Sequence, residues 1–277
     1  MNEKMPLLFN SIAFCYFIVG IVLILLLYIG FDDVFKLLDH GKTLSNCNKD
    51  SYFLSKNRFG DFYLLGFTLN VFVLMMHPSK LLLIFQLHLL RRIIETHLLF
   101  QYSKNSSMHF LHYLVGLSFY PMVSFVITTG VPKNIYILDF VAFAILSCLQ
   151  FRTHQILYNL RNANRKHQPL PRVSLFRFIL CPHYVLEILL YFWLQYQLSL
   201  SNISILTSFF VFTNILISSI QTKKWYEIKF GSDSRYLLVP FIFWDAKKNI
   251  LDVQTHKILL VQKNAVFYIP GFTFKKW

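Results

Sequence analysis

The chain has 277 residues, of which 55% are hydrophobic and 14% charged, with a formal net charge of +14. Soluble domains carry roughly 25% charged residues, so this deficit and several long apolar runs identify a bilayer as the solvent. The positive charge does not point to nucleic acid, because no basic soluble domain or recognition motif stands apart from the apolar runs.

The N-terminal MNEKMP leads into about 25 apolar residues, too long for a signal-peptide core and long enough to span. Candidate spans follow at about 7–31, 62–77, 80–102, 108–130, 134–160, 180–197 and 202–221. His77-Pro78-Ser79-Lys80 breaks the second from the third, and Gly130-Val131-Pro132 the fourth from the fifth. The expected fold class is therefore all-α, a polytopic membrane protein with about seven transmembrane helices. Residues 1–243 form the membrane domain, and 244–277 a C-terminal tail without an assigned role. Seven spans put 32–61, 103–107, 161–179 and the residues after 222 on one side, and these carry nearly all the loop lysines and arginines. The positive-inside bias places that side in the cytosol and the N-terminus outside or in a lumen.

Ionisable residues within a span are costly and are functional candidates by default. In the third span His88, Arg91, Arg92 and Glu95 share one helical face. An internal Arg91–Glu95 pair is the bland explanation; His88 and Arg92 on the same face extend it. The fourth span shows a stripe of His109, His112, Tyr113, Gly116 and Tyr120, a pattern shared with interfacial belts. Gln150, His154, Tyr158 and Arg161 line one face at the end of the fifth. The sixth opens Cys181-Pro182-His183-Tyr184, and Glu187 follows one turn further on. These groups converge on the cytosolic half of the membrane, where a polar cofactor can meet a lipid substrate.

Other chemistries leave no trace. Cys15, Cys47, Cys148 and Cys181 form no C-x-x-C pair, and the ten histidines include no H-x-x-x-H, so no metal site is expected. No G-x-G-x-x-G occurs for a Rossmann nucleotide site, and no G-x-S-x-G elbow. Gly41-Lys42-Thr43 ends like a phosphate-binding loop but lacks its upstream glycine and strand.

Several blocks together resemble the steroid 5α-reductase family, and within it the polyprenol (polyprenal) reductase branch in its fungal form. They are HLLRRIIET at 88–96, YSKNSSM at 102–108, HYLVG at 112–116 and QFRTHQILYNL at 150–160. Leu175-Phe176, Cys181 to Tyr184 with Glu187, KKWYEIKF at 223–230, VPFIF at 239–243 and the short Gly41-Lys42-Thr43 complete the set. The resemblance implies a seven-helix reductase of the endoplasmic reticulum, NADPH as hydride donor, and saturation of the α-isoprene unit of a polyprenyl lipid on the route to dolichol, which supports protein N-glycosylation. It also implies that Gln150, His154, Arg161, His183 and Glu187 line the NADPH site, with Lys223 and Tyr226 nearby. The candidate proton or hydrogen-bond donors are Tyr113, Glu95 and His88. Lys223 stands where the family often has histidine, Val173 replaces an expected glycine, and the first-loop carboxylate of the steroid enzymes has no counterpart. Two other readings compete: a membrane methyltransferase of the isoprenylcysteine type, which would bind S-adenosylmethionine, and a non-catalytic lipid-binding protein, which would bind no dinucleotide.

Overall fold

A computed structural model describes residues 4–29, 53–99, 106–162, 169–231 and 233–238. Its architecture is α-helical: α1 (Lys4–Ile29), α2 (Phe59–Met76), α3 (Lys80–Ile94), α4 (Phe110–Thr129), α5 (Ile137–Asn162), α6 (Pro182–Gln197) and α7 (Asn202–Phe230). Each of the seven coincides with one span expected from the sequence. Contacts divide the chain into Met1–Ile242 and Phe243–Trp277. The described residues all belong to the first unit, so the tail 244–277 lies outside them.

Among the described residues, the helices within Lys56–Met76, Phe110–Thr129, Ile137–Leu160 and Asn202–Phe230 are long and apolar enough to cross a membrane. The outward-facing side chains agree with a lipid solvent: Phe72, Met75, Ile137 and Leu138 are all exposed. The chain is a multi-pass membrane protein. The shorter α3 and α6 have 15 and 16 residues, and α3 buries His88 and Arg92.

Helix packing in a bilayer depends on small residues and interhelical hydrogen bonds rather than on the hydrophobic effect. The α2–α4 contact shows the first device. A Cβ at Gly66 would lie 2.5 Å from Tyr120 Cβ, and one at Gly116 would lie 2.5 Å from the Phe62 ring. The α2–α3 hairpin shows the second. Buried Asn70 donates to Gln86 at 2.5 Å and to the Leu82 carbonyl at 3.2 Å, and Gln86 donates back to the Phe67 carbonyl. On the other flank α1 meets α7 through Phe17 and Phe210, whose ring centroids are 5.6 Å apart.

Three local features were not expected from the sequence. A short antiparallel ribbon, β1 (Phe53–Ser55) and β2 (Ser107–His109), pairs the segments that precede α2 and α4. After Ile94, α3 widens into a single π-helical turn, Glu95–Leu99, a departure that often marks functional positions. Finally, residues beyond α7 clasp the loop before α6. Leu180 N–H donates to the Tyr236 carbonyl at 2.8 Å, and Tyr236 N–H to the Phe178 carbonyl at 3.1 Å. The buried Arg235 guanidinium donates to the carbonyls of Pro171 and Phe176 and pairs with Asp233. Burial pushes the Asp233 carboxyl up, but the hydrogen bonds and charge of Arg235 outweigh it and hold its pKa below the ordinary value.

The tightness of the α2–α4 contact gives a direct expectation. Gly66→Ala drives a methyl group into the Tyr120 Cβ, which is bonded directly to a helix backbone and cannot swing aside. The variant should be less stable by roughly 1–3 kcal/mol, as for overpacked cores. A lowered melting temperature in detergent checks this; an unchanged one refutes it.

Candidate functional site

Charged groups in an apolar helix must find partners on neighbouring helices, and here they find them at one end of the bundle. α3 ends there, α5 ends there, and α6 begins there with Pro182 in its first turn. Glu95 sits at the centre and is wholly buried. Arg91 Nη1 donates to its Oε1 at 2.5 Å, and Arg92 Nη1 to its Oε2 at 2.6 Å. His154 Nδ1 reaches the same Oε2 at 2.9 Å. A carboxylate only accepts, so this contact, shorter than the 3.3 Å from Nδ1 to Arg92 Nη1, places the His154 proton on Nδ1. Three donors on one carboxylate make the pair affordable in a low-dielectric setting.

The network continues in two directions. Toward α2, Arg92 Nε and Nη2 both donate to the Tyr63 hydroxyl, at 3.1 and 2.5 Å. Toward α6, Arg91 Nη2 donates to Gln150 Oε1, and Gln150 Nε2 donates to Glu187 Oε2. An arginine offers only donors and a carboxylate only acceptors, so the Gln150 amide has one possible orientation. Gln150 is wholly buried, whereas Glu187 keeps partial access. Among the described residues, Glu187 takes no cation at ion-pair distance and is held by this amide.

The two acids therefore have different characters. Glu95 is consumed by its three partners and serves as the keystone of the helix ends. Glu187 is oriented and retains capacity to accept from a ligand. The His183 ring is beside this pair, 5.8 Å from the His154 ring and 4.1 Å from Tyr184 between centroids.

The structure thus gathers His88, Glu95, Gln150, His154, His183 and Glu187, with Arg91 and Arg92, into one region. Tyr113 is not among them: its hydroxyl donates to Asp61 Oδ2 at 2.9 Å, at the start of α2. Arg161 belongs to the last turn of α5, but its side chain lies outside the described residues, as does that of His109. Lys223 and Tyr226 stand on α7. Lys223 is buried, with Nζ 3.8 Å from Glu227, and Tyr226 stacks on Phe230 with Trp225 edge-on.

Tyr63 was not singled out from the sequence, although it closes the network. Its signal was available: Tyr63, Gly66 and Asn70 form a stripe of polar and small residues on an otherwise apolar helix, and all three are buried. Tyr191, also unremarked, packs edge-on to His88 at 5.9 Å.

Removing the central carboxylate leaves two arginines and a histidine facing one another without compensation. Glu95→Ala should cost roughly 3–5 kcal/mol, the usual penalty for orphaning a buried charge. Loss of folded protein in membranes, read by limited proteolysis and gel filtration in detergent, checks this. Wild-type behaviour in both would remove Glu95 from its central position.

Comparison with known proteins gives these residues a context. A family described as 3-oxo-5-alpha-steroid 4-dehydrogenase matches residues 95–243, more than half of the chain. Polyprenal reductase from Saccharomyces cerevisiae is 34% identical over 195 residues, covering 68% of this chain and 74% of that protein. Polyprenal reductase 1 from Oryza sativa subsp. indica is 27% identical, with 58% of each chain covered. Polyprenal reductase from Mus musculus is 28% identical, covering 56% of this chain and 54% of the other. The chain spans under two thirds of the length of the plant and mouse relatives. The matched stretch runs from Glu95 through Gln150, His154, His183 and Glu187 to the Arg235 clasp, and the chain belongs to the 3-oxo-5-alpha-steroid 4-dehydrogenase family.

Proposed function

We propose that this protein is a membrane reductase that saturates the α-isoprene double bond of a polyprenal with hydride from NADPH, in the formation of dolichol at the endoplasmic reticulum. The observation that carries the reading is the Glu187 carboxylate. It belongs to a partly exposed residue, is fixed by Gln150 and stands beside His154 and His183, in a chain 34% identical to a yeast polyprenal reductase. In this reading the network end of the bundle faces the cytosol, where basic loops and a soluble dinucleotide belong together.

The residues present suit a nicotinamide nucleotide. A fixed carboxylate accepts from a carboxamide N–H, and His154, His183 and Gln150 add hydrogen-bonding groups around it. Arg161, Lys223 and Tyr226 are the proposed contacts for the rest of the nucleotide, the two bases being suited to its phosphates. NADPH, when bound, supplies a hydride. The protein's own part is to orient the reacting groups, exclude water and hold a hydrogen-bond donor on the substrate oxygen.

The aldehyde is favoured over the alcohol on chemical grounds. Hydride addition to the β-carbon pushes the double-bond electron pair toward the α-carbon. In an α,β-unsaturated aldehyde the carbonyl oxygen accepts that pair as enolate character develops, and the α-carbon then takes a proton. An allylic alcohol offers no such sink. His88, Glu95 and Tyr113 are the candidate donors. The engagement of Glu95 with three donors and of Tyr113 with Asp61 favours His88.

Two measurements test this reading. Glu187→Ala and His183→Ala should each weaken NADPH binding at least tenfold, about 1.4 kcal/mol or more, while unchanged affinity in both would remove them from the site. Purified protein given NADPH should consume polyprenal and leave polyprenol untouched. Turnover of the alcohol with no aldehyde present would overturn the substrate preference.

A further inference from the structure

The helix pairs in closest contact are α2–α4, α1–α7, α2–α3, α5–α6 and α6–α7; α3 with α6 is not among them. Side chains fill the seam where α3 faces α5 and α6, and they leave a cleft there. It is walled by Ile84, Phe85, Phe143, Leu190, Trp193 and Leu194, with His88 and Tyr191 also lining it. Its empty space, counted out past the open mouth, is about 250 Å³. It is a narrow slot, open along one side, so it admits only the small carbonyl end of a chain whose remainder stays in lipid. Leu83, Leu87, Leu189 and Phe192 on the same two helices are exposed, which places lipid on both rims.

His88 gives this apolar cleft a polar point. The residue is 4% exposed. Arg91 Nη2 approaches its Nδ1 at 3.3 Å, and a guanidinium can only donate, so Nδ1 accepts and the proton resides on Nε2. Nε2 is buried and has no hydrogen-bond partner among the described residues. Phe85 stacks on the ring at 6.0 Å and Tyr191 packs edge-on, so the orientation is fixed. A buried N–H donor without a partner, in an apolar slot open to lipid, calls for an acceptor oxygen carried by an apolar chain.

We propose that this cleft between α3, α5 and α6 is a lateral seat for the reacting end of the polyprenyl aldehyde, with its carbonyl oxygen accepting from His88 Nε2–H and its tail leaving through the seam into the bilayer. The inference rests on the reductase reading given above and adds the place and direction of substrate binding. It also ties the two halves of the site together. His88 touches Arg91 on one side and the cleft on the other, and Arg91 leads through Gln150 to Glu187.

The test uses the full chain in proteoliposomes. A polyprenal carrying a diazirine on its third isoprene unit is photolysed, and the labelled peptides are mapped. Label on α3 and α6 is expected; label confined to α1, α4 or α7 overturns the seat. In parallel, Leu194→Trp fills the slot and should raise KM for polyprenal about tenfold, the equivalent of about two lost methylene contacts, with NADPH affinity unchanged. His88→Leu removes the donor and should lower kcat about a hundredfold. An unchanged KM in Leu194→Trp, or an unchanged kcat in His88→Leu, counts against the proposal. If the wild-type protein does not reduce polyprenal at all, the reductase reading and the seat fall together. If it does, and label and kinetics point elsewhere, only the seat falls.

Discussion

One carboxylate with no exposure to solvent holds the functional end of this protein together. Glu95 gathers Arg91 and Arg92 from its own helix and His154 from α5. In water three such contacts would contribute little; in an apolar interior each one decides whether its partner can be buried at all. The arginines then act as distributors. One carries the network to Tyr63 on α2, and the other to Gln150 and so to Glu187 on α6. Four helices are thereby registered to one another through charged hydrogen bonds, at the level where a cofactor and a lipid would meet.

This arrangement separates support from chemistry. Glu95 is saturated by donors and has little left to give a ligand. Glu187 is positioned by a neutral amide and takes no cation at ion-pair distance among the described residues. His88 is held through Nδ1 and presents its other nitrogen to an apolar space. A single continuous network thus offers an acceptor toward one side and a donor toward the other. Reduction of a conjugated carbonyl needs both, one to hold the hydride source and one to receive electron density.

Much of this was legible in the sequence, for physical reasons. The helix limits were marked by His77-Pro78 and Gly130-Val131-Pro132, where no helix continues easily. The shared face of His88, Arg91, Arg92 and Glu95 was legible because charge is rare in apolar helices and its spacing is unmistakable. What one chain cannot reveal is the partner on another helix. Tyr63 and Tyr113 are the same residue type near the starts of α2 and α4, yet one closes the central network and the other binds Asp61. The β1–β2 ribbon was invisible because three-residue strands are too short to show alternation. The Arg235 clasp was invisible because its acceptors are backbone carbonyls, which every residue possesses.

That clasp bears on the order of events during synthesis. His183 and Glu187 follow directly on a loop whose backbone is held by Leu180, Tyr236 and Arg235. The holding residues lie beyond α7, so some fifty residues separate the acids and bases of α6 from the segment that fixes their approach. A chain growing from its N-terminus inserts α1 to α6 before this support exists. The α6 wall of the candidate site is thus finished only once α7 has been threaded and residues 233–238 have folded back. Until then the bundle is a set of membrane helices with its charged network present and its α6 entrance unframed, which delays a competent site until the membrane domain is in place.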